Sequence, residues 1–386
     1  MTKEKLFKND EEIKYFNHHE EFIKFLERKQ CEELWIEPYV NELSVVGIGK
    51  EPLFIEEHKT KNNMVNDNDA ILECMNNTGL FLSLPVENKR ITYPIRQMGV
   101  NSVFGRAQLT GATMRNTEKK PKANPLAPSV KAEWLTTACE LYSSPCKVLL
   151  SDNKITVAVS DRYTIVSEIE LYREMELCLK TLYDEVNFIE GKISHECCTF
   201  SFKVKDDTLT NKFAQKLAEN NVLVNNIEAK ILVSTSNMGN SAMRVFPIIL
   251  LDDSIEMRCG KPIEMDHKGE KNTATAFREK VNNLLLSLFR DSANEIAELS
   301  KITIKNPLGL YDKIIEDFNL PLDSAAIVRK NFEAEMWGDV TALDVYWYIS
   351  QIPQVTKSTK EMSLNTYLNL QEDCARTISV FKYYLF

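Results

Sequence analysis

The residues with the clearest potential for covalent chemistry are a cysteine and a histidine after an apolar run at 242–251. A Cys259 thiolate beside the His267 imidazole would form a nucleophile–base pair. Cys259 also continues the alternation of Ile255 and Met257, which places it on the buried face of a strand, where cysteine behaves as a small apolar side chain. A cysteine- or metal-dependent hydrolase is therefore one hypothesis, and the pattern favours a structural role.

The metal-binding and acid–base patterns of the sequence are weak. His195-Glu196-Cys197-Cys198 holds two adjacent cysteines, which suit tetrahedral coordination poorly. Asp252-Asp253 falls between two predicted strands and is typical of a polar turn. None of the five histidines belongs to an H-E-x-x-H motif, and the chain has no G-x-S-x-G elbow. The sequence therefore predicts no catalytic residue, no metal, no cofactor and no enzyme activity.

Positive charge is concentrated in the segment 88–132. Nine Lys and Arg residues there are opposed by one acid, Glu118, so the segment carries 9 − 1 = +8. Because the whole chain carries −9, the remainder carries −17. The net charge argues against a protein that coats DNA indiscriminately. The segment itself is either a solvated linker or an electrostatic contact for phosphate or for an acidic partner.

Aromatic residues accompany these cations. Single-stranded nucleic acid is bound by cations that reach phosphates and by rings on which bases stack. Tyr93 lies between two arginines, and Arg162-Tyr163 repeats the pairing at a strand–helix junction. The alternative is that each ring belongs to the core. The residues predicted to contact nucleic acid are Arg90, Tyr93, Arg96, Arg106, Arg115, Lys119, Lys120, Lys122, Arg162 and Tyr163.

The composition is that of a soluble globular chain. Its 386 residues suffice for two or three domains, and 44% hydrophobic with 27% charged residues is ordinary. The longest apolar run, at 246–251, is too short to span a bilayer, and the charged N-terminus lacks a secretory segment. Nine scattered cysteines fit reduced thiols better than a disulfide framework. We expect a cytoplasmic protein that has no membrane contact.

The predicted elements alternate short strands with helices. Two strand-like runs in 147–166 flank a hairpin turn at Asp152-Asn153, and Ser167 caps the helix that follows. Further strands are predicted at 199–204, 229–236, 242–251 and 254–260, and the clearest helix at 273–299. We predict an α+β fold of antiparallel β-meanders with covering helices, in β-β-β-α-like units, and an all-helical C-terminal cap. The predicted regions are an acidic 1–87, an α+β core at 88–300 that contains the basic segment 88–132, and a helical 301–386.

The C-terminal region is rich in aromatic residues. Tyr346-Trp347-Tyr348 on a predicted helix points three rings in three directions, and further rings follow toward the C-terminus. A helical cap cannot bury so many rings alone, and exposed apolar surface marks interfaces. We therefore expect the chain to form a homo-oligomer.

Several of these segments resemble the phage- and plasmid-borne family known as domain of unknown function 932, over residues of about 90–380. VLLSDNKITVAVSDRYTIVSEIEL is similar to its Ser-Asp … Ser-Asp-Arg-Tyr core. The later block of the family has an Asn-Ser turn, a cysteine turn and His-x-Gly. The matching positions here are Ser236-Asn237-Met238-Gly239, Cys259-Gly260 and His267-Lys268-Gly269, with YPIRQMGVNSVFGRAQLTGATM upstream and VTALDVYWYISQI downstream.

The resemblance implies a mobile-element setting and no single activity. A β-β-β-α unit also builds phage single-strand-annealing recombinases, which is an analogy of fold alone. The leading hypothesis is a non-enzymatic accessory protein of a phage or mobile element that binds single-stranded nucleic acid or a host nucleoprotein complex. The alternative is an anti-defence inhibitor, similar to an anti-CRISPR protein, whose acidic surface docks on a host immune protein.

Overall fold

The computed structural model confirms the predicted α+β class, with antiparallel sheets, covering helices and a helical C-terminal region. The structure describes residues 5–50, 54–109, 127–219, 222, 224, 226–239, 241–252, 255–336, 338–381 and 383.

The strands form three antiparallel sheets. The largest has the order β1-β8-β9-β10-β11-β12, with β13 paired to β11; the two smaller sheets are β2-β6-β7 and β3-β4-β5. The strands are β1 Lys14–Phe16, β2 Leu34–Ile36, β3 Ser44–Gly47, β4 Leu80–Val86, β5 Lys89–Pro94, β6 Cys146–Ser151, β7 Lys154–Ser160, β8 Val186–Ile193, β9 Cys198–Val204, β10 Ile227–Thr235, β11 Met243–Leu251, β12 Ile255–Arg258 and β13 Ile263–Met265.

The helices cover one face of the largest sheet and build the C-terminal region. They are α1 His19–Glu32, α2 Ile55–Asn62, α3 Asn68–Asn77, α4 Gln97–Arg106, α5 Pro128–Glu140, α6 Glu168–Leu182, α7 Asp207–Glu219, α8 Ala274–Glu298, α9 Pro307–Asp317, α10 Leu322–Glu335, α11 Ala342–Thr359, α12 Leu364–Arg376 and α13 Ile378–Phe381. No helix in these described ranges is long and apolar enough to cross a membrane.

The two faces of the largest sheet differ in chemistry. Phe200, Phe202, Ile231 and Val233 alternate onto one face and are buried in the main core with α6 and α8. α8 carries an apolar stripe at helical spacing, with Phe277, Val281, Leu285 and Phe289 all buried, whereas Leu284, which the sequence pattern also placed on the stripe, is exposed. Because strand side chains alternate, the residues between these apolar positions point to the opposite face. That second face carries Lys230, Ser234 and Arg244, together with Leu232, Phe246 and Ile248, which are buried in a smaller apolar cluster with Leu364 and Leu368 of α12. We call it the polar face.

Residues before 88 contribute strands to all three sheets. Tyr15 of β1 lies opposite Lys192 of β8, and β2 pairs with β6. β4 and β5 pair from Phe81–Pro94 through Val86–Lys89, so the predicted boundary at 87/88 falls within the turn that joins two paired strands.

Most local predictions agree with the structure. Asp152 and Asn153 have φ angles of 50° and 59°, the left-handed conformation that a two-residue hairpin turn requires. The Ser167 hydroxyl accepts a hydrogen bond from the Glu170 amide at 3.3 Å and caps α6. The polar segment 58–70, whose Asn and Asp residues are typical of a loop, is partly helical in the structure, because α2 extends to Asn62 and α3 begins at Asn68.

The C-terminal aromatic residues pack largely within the chain. Tyr346 is buried in the main core, and the Tyr348 ring stacks on the Phe332 ring at 4.5 Å. Phe381 is also buried, whereas Tyr383 is exposed. Trp337, Tyr384 and Phe386 lie outside the described residues. Self-association therefore stays a prediction that these contacts do not test.

Candidate nucleic-acid interface

Arg96, predicted to bind phosphate, is a structural cation. Only 2% of it is exposed, and its guanidinium forms an ion pair with Asp10. Nη2 donates to the Ser151 carbonyl at 3.0 Å and Nε to the Thr156 hydroxyl at 3.3 Å. Burial lowers the pKa of Arg96 against the opposing effect of the Asp10 carboxylate. Because every side of the group is enclosed by protein, it cannot contact a phosphate, and this site prediction is corrected.

The two predicted stacking rings are also in the interior. Tyr93 is buried in the core of the smaller sheets. Tyr163 is buried, donates its phenol proton to the Ser236 carbonyl at 3.2 Å, and stacks on the His267 ring with centroids 4.9 Å apart. Neither ring is available to a base, so the alternative of core aromatics holds at both positions.

The three remaining predicted cations that the structure describes have different local environments. Arg90 is exposed, but its Nη2 donates to the Glu42 and Ser83 carbonyls at 2.7 and 3.0 Å and ties β3 to β5. Arg106 is partly buried at the end of α4, and Arg162 is exposed after β7. The other four cations, Arg115, Lys119, Lys120 and Lys122, lie outside the described residues.

The motif segments that carry the family resemblance meet at one buried centre. The Thr164 amide donates to the His267 carbonyl at 2.7 Å, and the Asn237 amide donates to Glu168 Oε1 at 3.2 Å. The Tyr163–His267 stack closes the group from a third side. Burial lowers the pKa of His267, so the imidazole is neutral near pH 7. The centre has the properties of a structural junction between β7, β10 and β13.

A buried ion triad lies beside this junction. The Lys29 ammonium, on α1, is 2.8 Å from Glu168 and 2.7 Å from Glu33. Burial raises the pKa of Glu33 to about 7, and the Glu168 charge adds to that effect against the attraction of Lys29. Burial acts to lower the pKa of Lys29, but the two carboxylates outweigh it and the pKa lies above its ordinary value. Two carboxylates therefore share one cation, which compensates only one of them fully.

Cys259 and His267 have separate environments. Cys259 is fully enclosed in the main apolar core, where burial raises the pKa of its thiol far above the ordinary value. A thiol in such surroundings is inert rather than nucleophilic. Among the residues that the structure describes, no group of three or more His, Cys, Asp or Glu side chains is placed to hold a metal ion.

One candidate ligand site was not predicted from the sequence. It is a cavity of about 640 Å³ between the polar face of the largest sheet and the helices α11 and α12. The size falls in the range of ligand pockets. We call it the sheet cleft; its walls include Lys192, Lys230, Glu256, Gln354, Lys357 and Tyr367.

Strand register brings the cleft cations onto one sheet face. One row of directly paired residues crosses four strands and contains Lys192 of β8, Thr199 of β9, Ser234 of β10 and Arg244 of β11. A parallel row contains Lys230, Ile248 and Arg258, because residues directly opposite each other share a face. The sequence signal for this face was the alternation of charged or polar residues with apolar residues in the strands β10 to β12.

Carboxylates accompany the cations in the sheet cleft. The Lys230 ammonium is 2.5 Å from Glu256 and 3.7 Å from Glu190, and Lys192 is 2.6 Å from Glu190. Burial acts to raise the pKa of Glu256, but the charge and hydrogen bond of Lys230 outweigh it, so the pKa lies below the ordinary value. The floor of the cleft therefore presents fixed charges of both signs.

The outer part of the cleft carries a cation that forms no ion pair with the described residues and that lies beside two rings. Lys357, exposed at the end of α11, lies with its ammonium 5.7 Å from the Tyr15 ring centroid and 5.2 Å from the Tyr367 ring centroid. Tyr15 is 56% exposed. Burial raises the pKa of Tyr367 to about 12, so its phenol remains protonated at neutral pH. The Lys357 ammonium, the exposed Tyr15 ring and the partly buried Tyr367 ring together can bind a planar, anionic ligand.

Comparison with known proteins adds no relative. No protein-family model, no curated protein and no solved structure matches the chain. The resemblance to the family described above remains a prediction from the sequence.

Proposed function

We propose that the chain binds single-stranded nucleic acid in the sheet cleft and has no enzyme activity of its own. The observation that carries the proposal is the meeting of Lys357 with Tyr15 and Tyr367 at a cavity of about 640 Å³, which Lys357 and Tyr367 line. Lysines can contact the backbone phosphates while bases stack on exposed rings, which is how proteins bind single strands with little sequence preference.

The floor of the cleft suits the edges of unpaired bases. Gln351, Gln354 and Gln371 supply amide donors and acceptors, and Glu190 and Glu256 supply acceptors. Unpaired bases expose the hydrogen-bonding edges that a duplex hides, and single-stranded segments are read there. Double-stranded DNA has no such edges available in a cleft of this kind. The proposal therefore specifies a single strand.

The net charge of the chain is compatible with this location. Overall the chain carries −9, so the affinity must come from a local arrangement rather than from a general basic surface. Of the three lysines that line the cleft, Lys230 is buried and paired with Glu256, which leaves Lys192 and Lys357 to contact phosphates. If each contacts one phosphate, log K should fall with log[salt] with a slope of about −1.4 for a single strand, from about −0.7 per contact. Raising salt fourfold should then weaken binding about sevenfold.

Fluorescence anisotropy with a labelled oligothymidylate at 50 and 200 mM salt tests the proposal. Wild-type protein should bind and show this salt dependence. Lys357→Glu should weaken binding and reduce the slope by about 0.7 or more, because one phosphate contact is lost. The matched control is Lys313→Glu, an exposed lysine of α9 outside the cleft with the same change in charge. No binding at low salt, or equal effects of both variants, would contradict the proposal.

A phage or mobile-element setting, a location in the host cytoplasm and a role in recombination or annealing belong to the same proposal. They rest on the resemblance over residues of about 90–380 and on the binding of single strands. The basic segment 88–132 would then be an additional electrostatic contact.

A further inference from the structure

Arg258 is a buried cation without a carboxylate partner of its own. It is 4% exposed, and its guanidinium stacks on the Phe246 ring with the Cζ atom 4.0 Å from the centroid. The two carboxylates whose charges act on it, Glu256 and Glu372, form their ion pairs with Lys230 and Arg244 instead. Isolated buried charges are rare because desolvation is costly, and those that persist are paired or bind an anion.

The hydrogen bonds of this arginine are incomplete as well. Arg258 Nη2 donates to Gln371 Oε1 at 2.5 Å, whereas Nε and Nη1 are buried without an acceptor in the described structure. Arg244, on the same sheet face, also has a buried Nε that lacks an acceptor. Native proteins leave few buried polar groups unsatisfied, and each calls for a functional or structural reason. Here the unsatisfied donors share one sheet face and one sign of charge.

Gln371 separates Arg258 from the sheet cleft. Its side chain lines the cleft, accepts from Arg258, and donates to the Tyr367 phenol at 3.2 Å and to Glu256 Oε2 at 3.4 Å. A glutamine satisfies one donor of a guanidinium but cannot neutralise its charge. Rotation of this one side chain away from Arg258 would open the guanidinium to the cleft. No movement of the sheet would be needed.

We propose that Arg258 forms an anion subsite beside the sheet cleft, where a phosphate group replaces the Gln371 side chain. The inference rests on the proposed function and deepens it, since the phosphate would be one of the bound strand. A guanidinium presents planar paired donors that match a phosphate, which makes arginine the better partner for this group. Phe246 holds the Arg258 plane in position from below.

Two variants test the subsite with an oligothymidylate and with sodium pyrophosphate as probes. Arg258→Gln removes the cation, and Gln371→Glu fills the subsite with an internal carboxylate. Both should weaken binding of each probe by about tenfold, the typical effect of losing a charged hydrogen bond. Arg329→Gln, an exposed arginine paired with Asp312 on another surface, is the matched control and should bind as wild type.

Stability measurements separate a binding role from a purely structural one. If Arg258 were kept for structure, Arg258→Gln should unfold more easily than wild type in urea. If Arg258 is kept for binding, Arg258→Gln should instead leave the stability unchanged or raise it, because the variant no longer buries a charge that lacks a carboxylate partner.

The outcomes also distinguish the subsite from the proposed function. If wild type binds the oligothymidylate and neither variant weakens this binding, the subsite is overturned and the proposed function stands. Pyrophosphate binding lost in both variants, without any strand binding by wild type, would overturn the proposed function and retain the subsite. If Arg258→Gln does not fold, Gln371→Glu with unchanged affinity for both probes overturns the subsite alone.

Discussion

The buried triad of Lys29, Glu33 and Glu168 leads to a prediction about stability. Removing the Glu33 carboxyl should stabilise the folded protein relative to wild type, and this gain should grow as the pH rises. In Glu33→Gln the amide cannot ionise, and Lys29 keeps its contact with Glu168 at 2.8 Å. In wild type the Glu33 carboxyl, with a pKa of about 7 in the folded protein, must ionise in a buried position that already holds one carboxylate. The variant is relieved of that cost.

The magnitude follows from the difference in pKa between the two states. The pKa of Glu33 is about 7 in the folded protein against an ordinary value of 4.5. A group whose pKa is raised by folding contributes stability that is fully present below pH 4.5 and is lost as the pH rises through about 7. At about 1.4 kcal/mol per pKa unit, the contribution lost is about 3 kcal/mol. Glu33→Gln should therefore gain about 3 kcal/mol relative to wild type between pH 4.5 and 7.5.

Urea denaturation of both proteins across pH 4.5–7.5 is the assay. Burial lowers the pKa values of His195 and His267, so their protonation destabilises both proteins alike as the pH falls, and this effect cancels in the difference. Glu32→Gln, next in sequence and paired with Arg28, is the control and should show no such pH-dependent gain. A difference between Glu33→Gln and wild type that stays constant over the pH range would refute the reasoning.

Three further predictions concern the fold. Gly99→Ala should destabilise the protein by about 1 kcal/mol or more, because an added Cβ would lie 2.6 Å from a carbonyl oxygen of β7. Gly105→Ala, whose added Cβ would have no atom within 4 Å, should stabilise α4 by up to about 1 kcal/mol. Thermal melts of the two variants compare these effects. Arg96→Gln should cost about 3 kcal/mol by breaking a buried ion pair, yet leave oligonucleotide affinity unchanged, as urea titration and anisotropy would show. Iodoacetamide should label exposed Cys31 in the native protein and reach buried Cys259 only after unfolding, as peptide mass spectrometry would record.

Local patterns predicted much of the fold. The Asp152-Asn153 turn, the Ser167 cap and the stripe of α8 depend on nearby residues, so their signals are legible in sequence. The strand β8 was not predicted, because the helical sequence pattern of the preceding segment continues as far as Val186, which is the first residue of the strand. Likewise, the sequence before 88 gave no indication that β1, β2 and β3 join three different sheets, because strand pairing depends on residues far away in the chain.

The candidate site was harder to predict than the fold. Counting charge along the chain grouped Arg90, Arg96 and Arg106, but burial and hydrogen bonding give each a different environment. The sheet cleft instead gathers Tyr15, Lys230 and Lys357 from distant segments, so no linear window contains it. Alternation predicts that a strand has a polar face, but it does not predict which helices leave that face open.

Photocrosslinking of a strand that contains 5-iododeoxyuridine tests the central claim most directly. Bases that stack on the rings at the mouth of the cleft should form adducts with Tyr15 or Tyr367, and Lys357→Glu should reduce the yield. Peptide mass spectrometry locates the adducts. Adducts at the cleft tyrosines would support nucleic-acid binding there, whereas adducts confined to residues 88–132, or none from a bound strand, would contradict it.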